Sequence, residues 1–444
     1  LIKAFAARTD VLDQTDTNGT KVVTMPEDLA LGSYTIADTA AAISGATDKS
    51  IFTADKGCTG VTIEDNVKGI KNASLGSLTE LDNLQINVED SLANLNGLTQ
   101  KDLDLIKTAD GTSTFTATDK GKDGAITLDA KALNLFDAEV TFADTAVKTV
   151  NLTSDAQLGT GTEEGKVFGR LNPFADTNLT VNLTASAKDD YISLSGNFGT
   201  VDLGAGNDNI ALAKGAVVET INLGDGTNTL TISTDATSAG DVKIGSIIGG
   251  AGNDTITLSD KVSAIETGII IDGKGGADVI TLSAAADTVV LGSVLDEPSA
   301  AGDNTANVAT ISGFGTAEGS DDKIDFAGEL DGFGSEGFAA TDAAKLDKNA
   351  FAGDLKGKDV IFFTSAMGNG SKLTDYVATD VTDDFILIAQ ENSGSGLNVW
   401  YVKGNAAEAS TFTLVANLEG VSAGADSLSA ANFTAANFDP FGAA

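Results

Sequence analysis

Residues 249–258 read GGAGNDTITL: three glycines in the first four positions, an Asn-Asp pair, and then Thr-Ile-Thr-Leu, where apolar and polar residues alternate. Alternation at a period of two marks a strand with one buried face. The same turn-acid-strand order recurs through the middle of the chain. Asp190 precedes Ile192 and Leu194, Asp208 precedes Ile210 and Leu212, and Asn228 stands in the acid's place before Leu230 and Ile232. Asp254 is followed by Ile256 and Leu258, Asp278 by Ile280 and Leu282, and Asp287 by Val289 and Leu291.

A second strand series precedes the first: TVNL at 180–183, TVDL at 200–203 and TINL at 220–223, with Thr180, Thr200 and Thr220 evenly spaced. Within a repeat the apolar residues advance by nine, from Val201 to Ile210, Ile221 to Leu230, Ile247 to Ile256 and Ile271 to Ile280. Two strands and two turns make one coil, and the stretch from Asp190 to Asp208 is such a coil without insertion. A coil of this size buries its apolar face only against its neighbours. The expected fold class is all-β, a parallel β-solenoid or β-roll with short helices in the N-terminal repeats, followed by a strand-rich antiparallel unit at the C-terminus.

The N-terminal third repeats more loosely. YTIADTAAAI, VTIEDNVKGI, INVEDSLANL and VTFADTAVKTV place Asp38, Asp65, Asp90 and Asp144 after short alternating strands, and TFTATDK with Asp119 fills the longest gap. Apolar residues at helical spacing follow, such as Val67 with Ile70 and Leu92 with Leu95. An aspartate at that junction is read as a helix N-cap and not as a metal ligand. Beyond residue 305 the repeats fade into the runs DVIFFTS, DFILIAQ, LNVWYVKG and STFTLVANLEGV, which read as longer strands. The organisation expected is an extended segment over 1–25, strand and short-helix repeats over 26–175, a roll over 176–304 and a strand-rich unit over 305–444.

Composition narrows the chemistry. With 64 acidic and 27 basic residues the net charge is −37, which repels nucleic acid and anionic lipid and favours multivalent cations, calcium first. No stretch approaches the apolar length of a membrane span. Histidine is absent, so HExxH zinc chemistry, Ser-His-Asp triads and imidazole acid-base catalysis are excluded together. Cys58 is the single cysteine and reads as a small buried hydrophobe. The opening LIKAFAARTD is no complete signal peptide, and the missing initiator Met points to a fragment or a processed product.

GGAGNDTIT resembles the GGxGxDxUx nonapeptide of the RTX (repeats-in-toxin) family, where U is a large apolar residue. The resemblance implies calcium ions held between the turns of successive coils by backbone carbonyls and an aspartate. Glycines let such a turn curl with φ > 0, and Ca²⁺ takes six to eight oxygens at about 2.3–2.6 Å. Carried over residue by residue, the fullest turn is Gly249, Gly250, Gly252, Asn253 and Asp254. Next is Gly204, Gly206, Asn207 and Asp208, where Leu203 replaces the first glycine. Departures are Asn228 in the aspartate position with Asp225 nearby, Lys274 at the second glycine of the turn with Gly276 and Asp278, and Asp190, whose turn lacks the glycine pattern. Two to four calcium sites are expected, centred on the two full turns.

ATISGFGTAEGSDDKIDFAGEL resembles the segment that closes many RTX rolls, and the tail SLSAANFTAANFDPFGAA resembles an uncleaved type I secretion signal. Other motifs fail on chemistry. No GxxxxGK[ST] loop exists, and the glycine turns open strands and not helices. DKGKDGAITLDA, starting at Asp119, has Ala130 where an EF-hand needs its bidentate Glu, so it reads as a turn. Adjacent Asp321 and Asp322 read as solvated or cation-binding acids. No catalysis is expected. The expected function is a calcium-binding extracellular structural protein that self-assembles on the bacterial cell surface, as a surface layer or filament, exported by type I secretion. A secreted RTX adhesin is the alternative. The expected partners are further copies of the chain and cell-surface polysaccharide, without nucleic acid or membrane insertion, and Trp400 and Tyr401 are the candidate contact surface.

Overall fold

The computed structural model describes, with short gaps, residues 34–46, 58–73, 84–99, 113–129, 140–159, 179–291, 308–315, 322–325, 338–341, 360–367, 385–390, 396–403 and 411–421. It also describes strands 13–15, 21–23 and 169–171, and single residues 52, 81, 102, 106 and 373. The chain divides into two compact units: Leu1–Ile126 with Ala132–Val150 and Phe174–Leu179, and Thr127–Lys131 with Asn151–Pro173 and Thr180–Ala444.

In the first unit five strands pair in parallel and in chain order: β1 (Tyr34–Asp38), β2 (Cys58–Asp65), β3 (Leu84–Asp90), β4 (Thr114–Ala117) and β5 (Val140–Phe142). Helices α1 (Ala40–Ser44), α2 (Val67–Asn72) and α3 (Leu92–Leu95) follow the first three strands. Val61, Ile63, Ile86, Val88 and Phe115 alternate into the core, and Ile43, Ile70 and Leu95 cover it from the helices. Cys58 is buried.

The aspartates act differently from the caps expected of them. The N-caps are the residues one step later, Thr39 to the Ala42 amide and Asn66 to the Gly69 amide. Asp38 accepts from the adjacent Thr39 N–H, while Asp65, Asp90 and Asp119 serve the preceding repeat. Asp65 Oδ2 accepts from the Ala40 N–H at 3.0 Å, Asp90 Oδ2 from Val67 at 3.1 Å, and Asp119 Oδ2 from Leu92 at 2.6 Å. The first N–H groups of a helix lack intrahelical partners and carry partial positive charge, so a carboxylate from the next coil both satisfies and stabilises them. Asp144 lies outside the described residues. Within 1–25, residues 13–15 pair antiparallel with 21–23; the rest lies outside the described residues.

The second unit is built on two parallel rows. One passes through Val201, Ile221, Ile247, Ile271, Val289 and Ile324, the other through Ile192, Ile210, Leu230, Ile256, Ile280 and Ile311. β6 (Thr180–Thr184) pairs with the start of the first row, and the strands that carry the rows are β7 (Tyr191–Asp202), β8 (Asn209–Asn222), β9 (Thr229–Ile232), β10 (Val242–Ala251), β11 (Thr255–Thr257), β12 (Ile270–Gly275), β13 (Val279–Thr281), β14 (Thr288–Val290), β15 (Ala309–Ser312) and β16 (Lys323–Asp325). All twelve row residues are at most 1% exposed, each worth about 1.5–3 kcal/mol of burial. The chain is thus strand-rich with large parallel sheets, and among the described residues no sheet closes on itself.

The C-terminal strands are mixed where a purely antiparallel unit was expected. β17 (Phe338–Thr341), β18 (Val360–Phe363) and β19 (Phe385–Ala389) pair in parallel, and only β20 (Gly396–Lys403) runs antiparallel, to β19 and to β21 (Thr411–Glu419). β21 also pairs in parallel with β15. VIFF and FILIA are apolar without alternation and buried at every position, as strands covered on both faces are. Trp400 packs in this core with Ile361, Phe363, Met367, Leu387 and Val402 at 5% exposure, so it offers no contact surface. Residues 427–444 lie outside the described residues.

Candidate metal centre

Four turns, 204–208, 224–228, 250–254 and 274–278, lead from the first row of strands to the second at the same edge of the repeats. They are tied to one another through the backbone: the Asp225 N–H donates to Gly204 O and the Gly206 N–H to Asp225 O, both at 3.0 Å, and Gly226 and Gly252 donate to Ala251 O and Gly275 O. The stacking explains the glycines. Gly206, Gly226, Gly252 and Gly276 have φ of 135°, 124°, 132° and 133°, and a Cβ on each of the last three would fall on the carbonyl oxygen of the glycine one coil before. A Cβ at Gly249 would likewise crowd a backbone carbonyl, that of Gly273, and would also sit 2.7 Å from Asp254 Oδ2.

The acids that close these turns form a buried ladder. The Asp190 N–H donates to Asp208 Oδ1 at 2.7 Å, Asp208 to Asn228 Oδ1 at 2.9 Å, Asn228 to Asp254 Oδ1 at 2.9 Å, and Asp254 to Asp278 Oδ1 at 3.0 Å. All five are at most 2% exposed. Asn207 and Asn253 form an outer, exposed ladder, their Oδ1 atoms accepting from the Thr227 and Ala277 amides at 2.8 Å.

Within the inner ladder the second carboxylate oxygen separates the members. Asp208 Oδ2 and Asp254 Oδ2 are buried with no hydrogen-bond partner. Asp190 is saturated, by the Leu158 N–H at 2.6 Å, the Ser186 N–H at 2.9 Å and the Ser186 hydroxyl. Asn228 turns its amide nitrogen to Gly224 O at 3.0 Å. Asp278 packs over Gly273, where a Cβ would collide with its carboxylate. Asp225 is exposed at the tip of its turn. Lys274 holds φ = 62° in place of a glycine, and its ammonium pairs with Asp272 at 2.6 Å.

Burial drives the electrostatics. Desolvation pushes the Asp208 carboxyl up to about 7, with the charges of Asp190 and Asp189 adding to it against the Asp190 N–H. Desolvation likewise raises Asp278 to about 7 against the Asp254 N–H, and raises Asp254 against the Asn228 N–H, the Gly250 N–H and the Asn228 side-chain amide, none of which gives Asp254 Oδ2 a hydrogen bond. A buried carboxylate oxygen without a donor calls for a proton or a cation.

The residues fit a hard cation on that ground: the glycine turns that end in Asp208 and Asp254 are rich in carbonyls, and each is closed by one orphaned carboxylate oxygen, with no imidazole in the chain. Among the described residues no three acidic side chains converge. A cation at Asp208 or Asp254 would therefore draw most of its ligands from the backbone.

Sequence reading missed a second ladder, on the opposite edge. The Asp287 N–H donates to Asp322 Oδ1 at 2.8 Å, the Gly315 N–H to Asp322 Oδ2, and the Asp287 carboxylate accepts from the Ser283 N–H and hydroxyl, so both carboxylates are matched within the protein. The signal was Ser four residues before Asp, shared by Ser186 with Asp190. No family model matches the chain, and no curated protein and no solved structure matches it either.

Proposed function

We propose that this chain is a calcium-binding extracellular structural protein of the RTX kind, that its parallel rows form a β-roll, and that it assembles with itself on a bacterial cell surface. The observation that carries the calcium reading is the pair of buried, unpartnered oxygens Asp208 Oδ2 and Asp254 Oδ2, placed in the two turns with the fullest glycine pattern. Asp208, Asp254 and neighbouring glycine carbonyls would hold the ion, which when bound neutralises carboxylates that otherwise repel one another. Asp278 and Gly276 form the next turn of the same stack. A net charge of −37 keeps copies apart until cations offset it, which makes calcium the switch between soluble and assembled states.

Far-UV circular dichroism and melting in metal-stripped buffer and in millimolar calcium test the binding; light scattering and electron microscopy over the same range test assembly. Extracellular modules bind at about 10⁻⁴–10⁻³ M, and a 100-fold excess stabilises by about 2.7 kcal/mol per site. Unchanged melting defeats the calcium reading. A calcium-loaded monomer at all concentrations defeats self-assembly.

The adhesin reading rests on a different feature, an open groove of about 540 Å³ in the first unit, lined by Glu64, Asn87, Glu89, Thr114, Thr116 and Thr118. Carboxylates, the amides of Asn66 and Asn87, and hydroxyls without a basic residue suit a neutral polyhydroxylated ligand such as a cell-surface polysaccharide. Binding of neutral oligosaccharides that is lost in Asn87→Ala supports this reading, and no binding removes it.

A further inference from the structure

We infer that the Asn228 side-chain amide takes the place of a cation in its turn, so that this turn closes without metal and divides the ladder into an ion site at Asp208 and another at Asp254. The inference rests on the calcium reading for what fills the two flanking turns, and on hydrogen bonds alone for Asn228.

The three residues occupy equivalent rungs. In each, Oδ1 accepts the main-chain N–H of the rung before it: Asp190 to Asp208, Asp208 to Asn228, Asn228 to Asp254, at 2.7–2.9 Å. That contact also assigns the Asn228 amide, since its oxygen must face the Asp208 N–H and its nitrogen the other way. The second terminal atom of each side chain is then what distinguishes the rungs. In Asn228 that atom is a nitrogen, and it donates to Gly224 O at 3.0 Å. In Asp208 and Asp254 it is an oxygen, buried and unpartnered, with Gly204 and Gly250 in the position of Gly224.

A buried carboxylate oxygen without a donor needs something positive beside it. Asparagine brings its own N–H and aspartate brings none, so one chemistry completes the turn internally and the other leaves it to an ion. The replacement of Asp by Asn is therefore a device that fixes where ions enter the stack. It also separates two divalent charges by an uncharged rung, which lowers their mutual repulsion.

The test is a reciprocal pair in the full chain at pH 8. Asn228→Asp removes the internal donor, so calcium stoichiometry by calorimetric titration rises by one and the melting temperature of metal-stripped protein falls. Asp254→Asn supplies a donor, so stoichiometry falls by one and metal-stripped protein melts higher. Each keeps Oδ1 and with it the ladder. If Asn228→Asp changes neither quantity, or if Asp254→Asn lowers metal-stripped melting, the inference is overturned. Should Asn228→Asp fold only with calcium, that supports it; should it fold under neither condition, the Asp254→Asn melting decides. A wild-type chain that binds no calcium sinks the calcium reading, while opposite shifts of metal-stripped melting in the two variants would still uphold the role of the amide.

Discussion

The main-chain N–H of Asp190 donates to Asp208 Oδ1 at 2.7 Å, across 18 residues of sequence. A side chain from one repeat thereby fixes the residue that opens a strand in the repeat before. Below it the Asn209 N–H donates to Asp190 O at 2.8 Å, so side chain and backbone alternate along the same edge. Removing the acceptor strands a buried N–H, which costs about 1–3 kcal/mol. Asp208→Ala should therefore destabilise the metal-stripped protein, while Asp208→Asn, which keeps Oδ1, should not. Urea unfolding of both variants checks this, and equal losses would show that the ladder bond contributes little.

Metal-stripped protein should be more stable in mild acid than at pH 8. Asp208 and Asp278 titrate near 7 when folded, against 3.8 for the ordinary carboxyl, so the native state binds more protons between those values. Stability is full below about pH 4 as far as these groups are concerned, falls as pH rises through about 7, and changes at up to about 1.4 kcal/mol per pH unit for each fully shifted group. Calcium should flatten the profile by competing with the protons, and its apparent affinity should weaken below pH 7. Melting at pH 5 and pH 8, with and without calcium, is the measurement; a metal-free protein that melts highest at pH 8 contradicts it.

Asp90→Ala should loosen the start of α2 without touching the second unit. The Val67 N–H loses its acceptor in the next repeat, a cost of about 1 kcal/mol for a lost cap. Hydrogen exchange at the Val67 amide should quicken, and calcium stoichiometry should stay as in the wild type. A drop in stoichiometry would move an ion site into the first unit.

Gly252→Ala should be far worse than Gly215→Ala. Both residues have positive φ, at 132° and 86°, but a Cβ at 252 lands on the Gly226 carbonyl whereas at 215 it meets nothing within 4 Å. The second should cost about 1 kcal/mol of backbone strain and the first several times that. Comparable chemical denaturation midpoints for the two would refute the stacking of the turns.

Trp400, the single tryptophan, should emit in the blue and resist quenching by iodide, because it is 5% exposed in the core of the C-terminal strands. Assembly should leave its spectrum unchanged. A red, quenchable emission in the monomer that shifts on assembly would return Trp400 to the surface.

Period-two alternation and the spacing of the acids were enough to identify the strands of the repeats, because burial of one face is written locally at every second residue. The step from Val201 to Ile221, Ile247 and Ile271 likewise matches the observed rows, since each coil repeats the same two faces. Tertiary structure decided what each acid touches. Asp65 reaches back to Ala40 and Asp208 to Asp190, contacts that depend on which coil lies beside which and leave no trace at short range in sequence. It also decided that Asp190 is saturated while Asp208 and Asp254 keep one oxygen free, since Ser186 supplies donors that glycine turns lack. Strand direction at the C-terminus and the burial of Trp400 were settled the same way. A fully apolar run such as FILIA says that both faces are covered, but the covering strands come from far along the chain, and only packing chooses them.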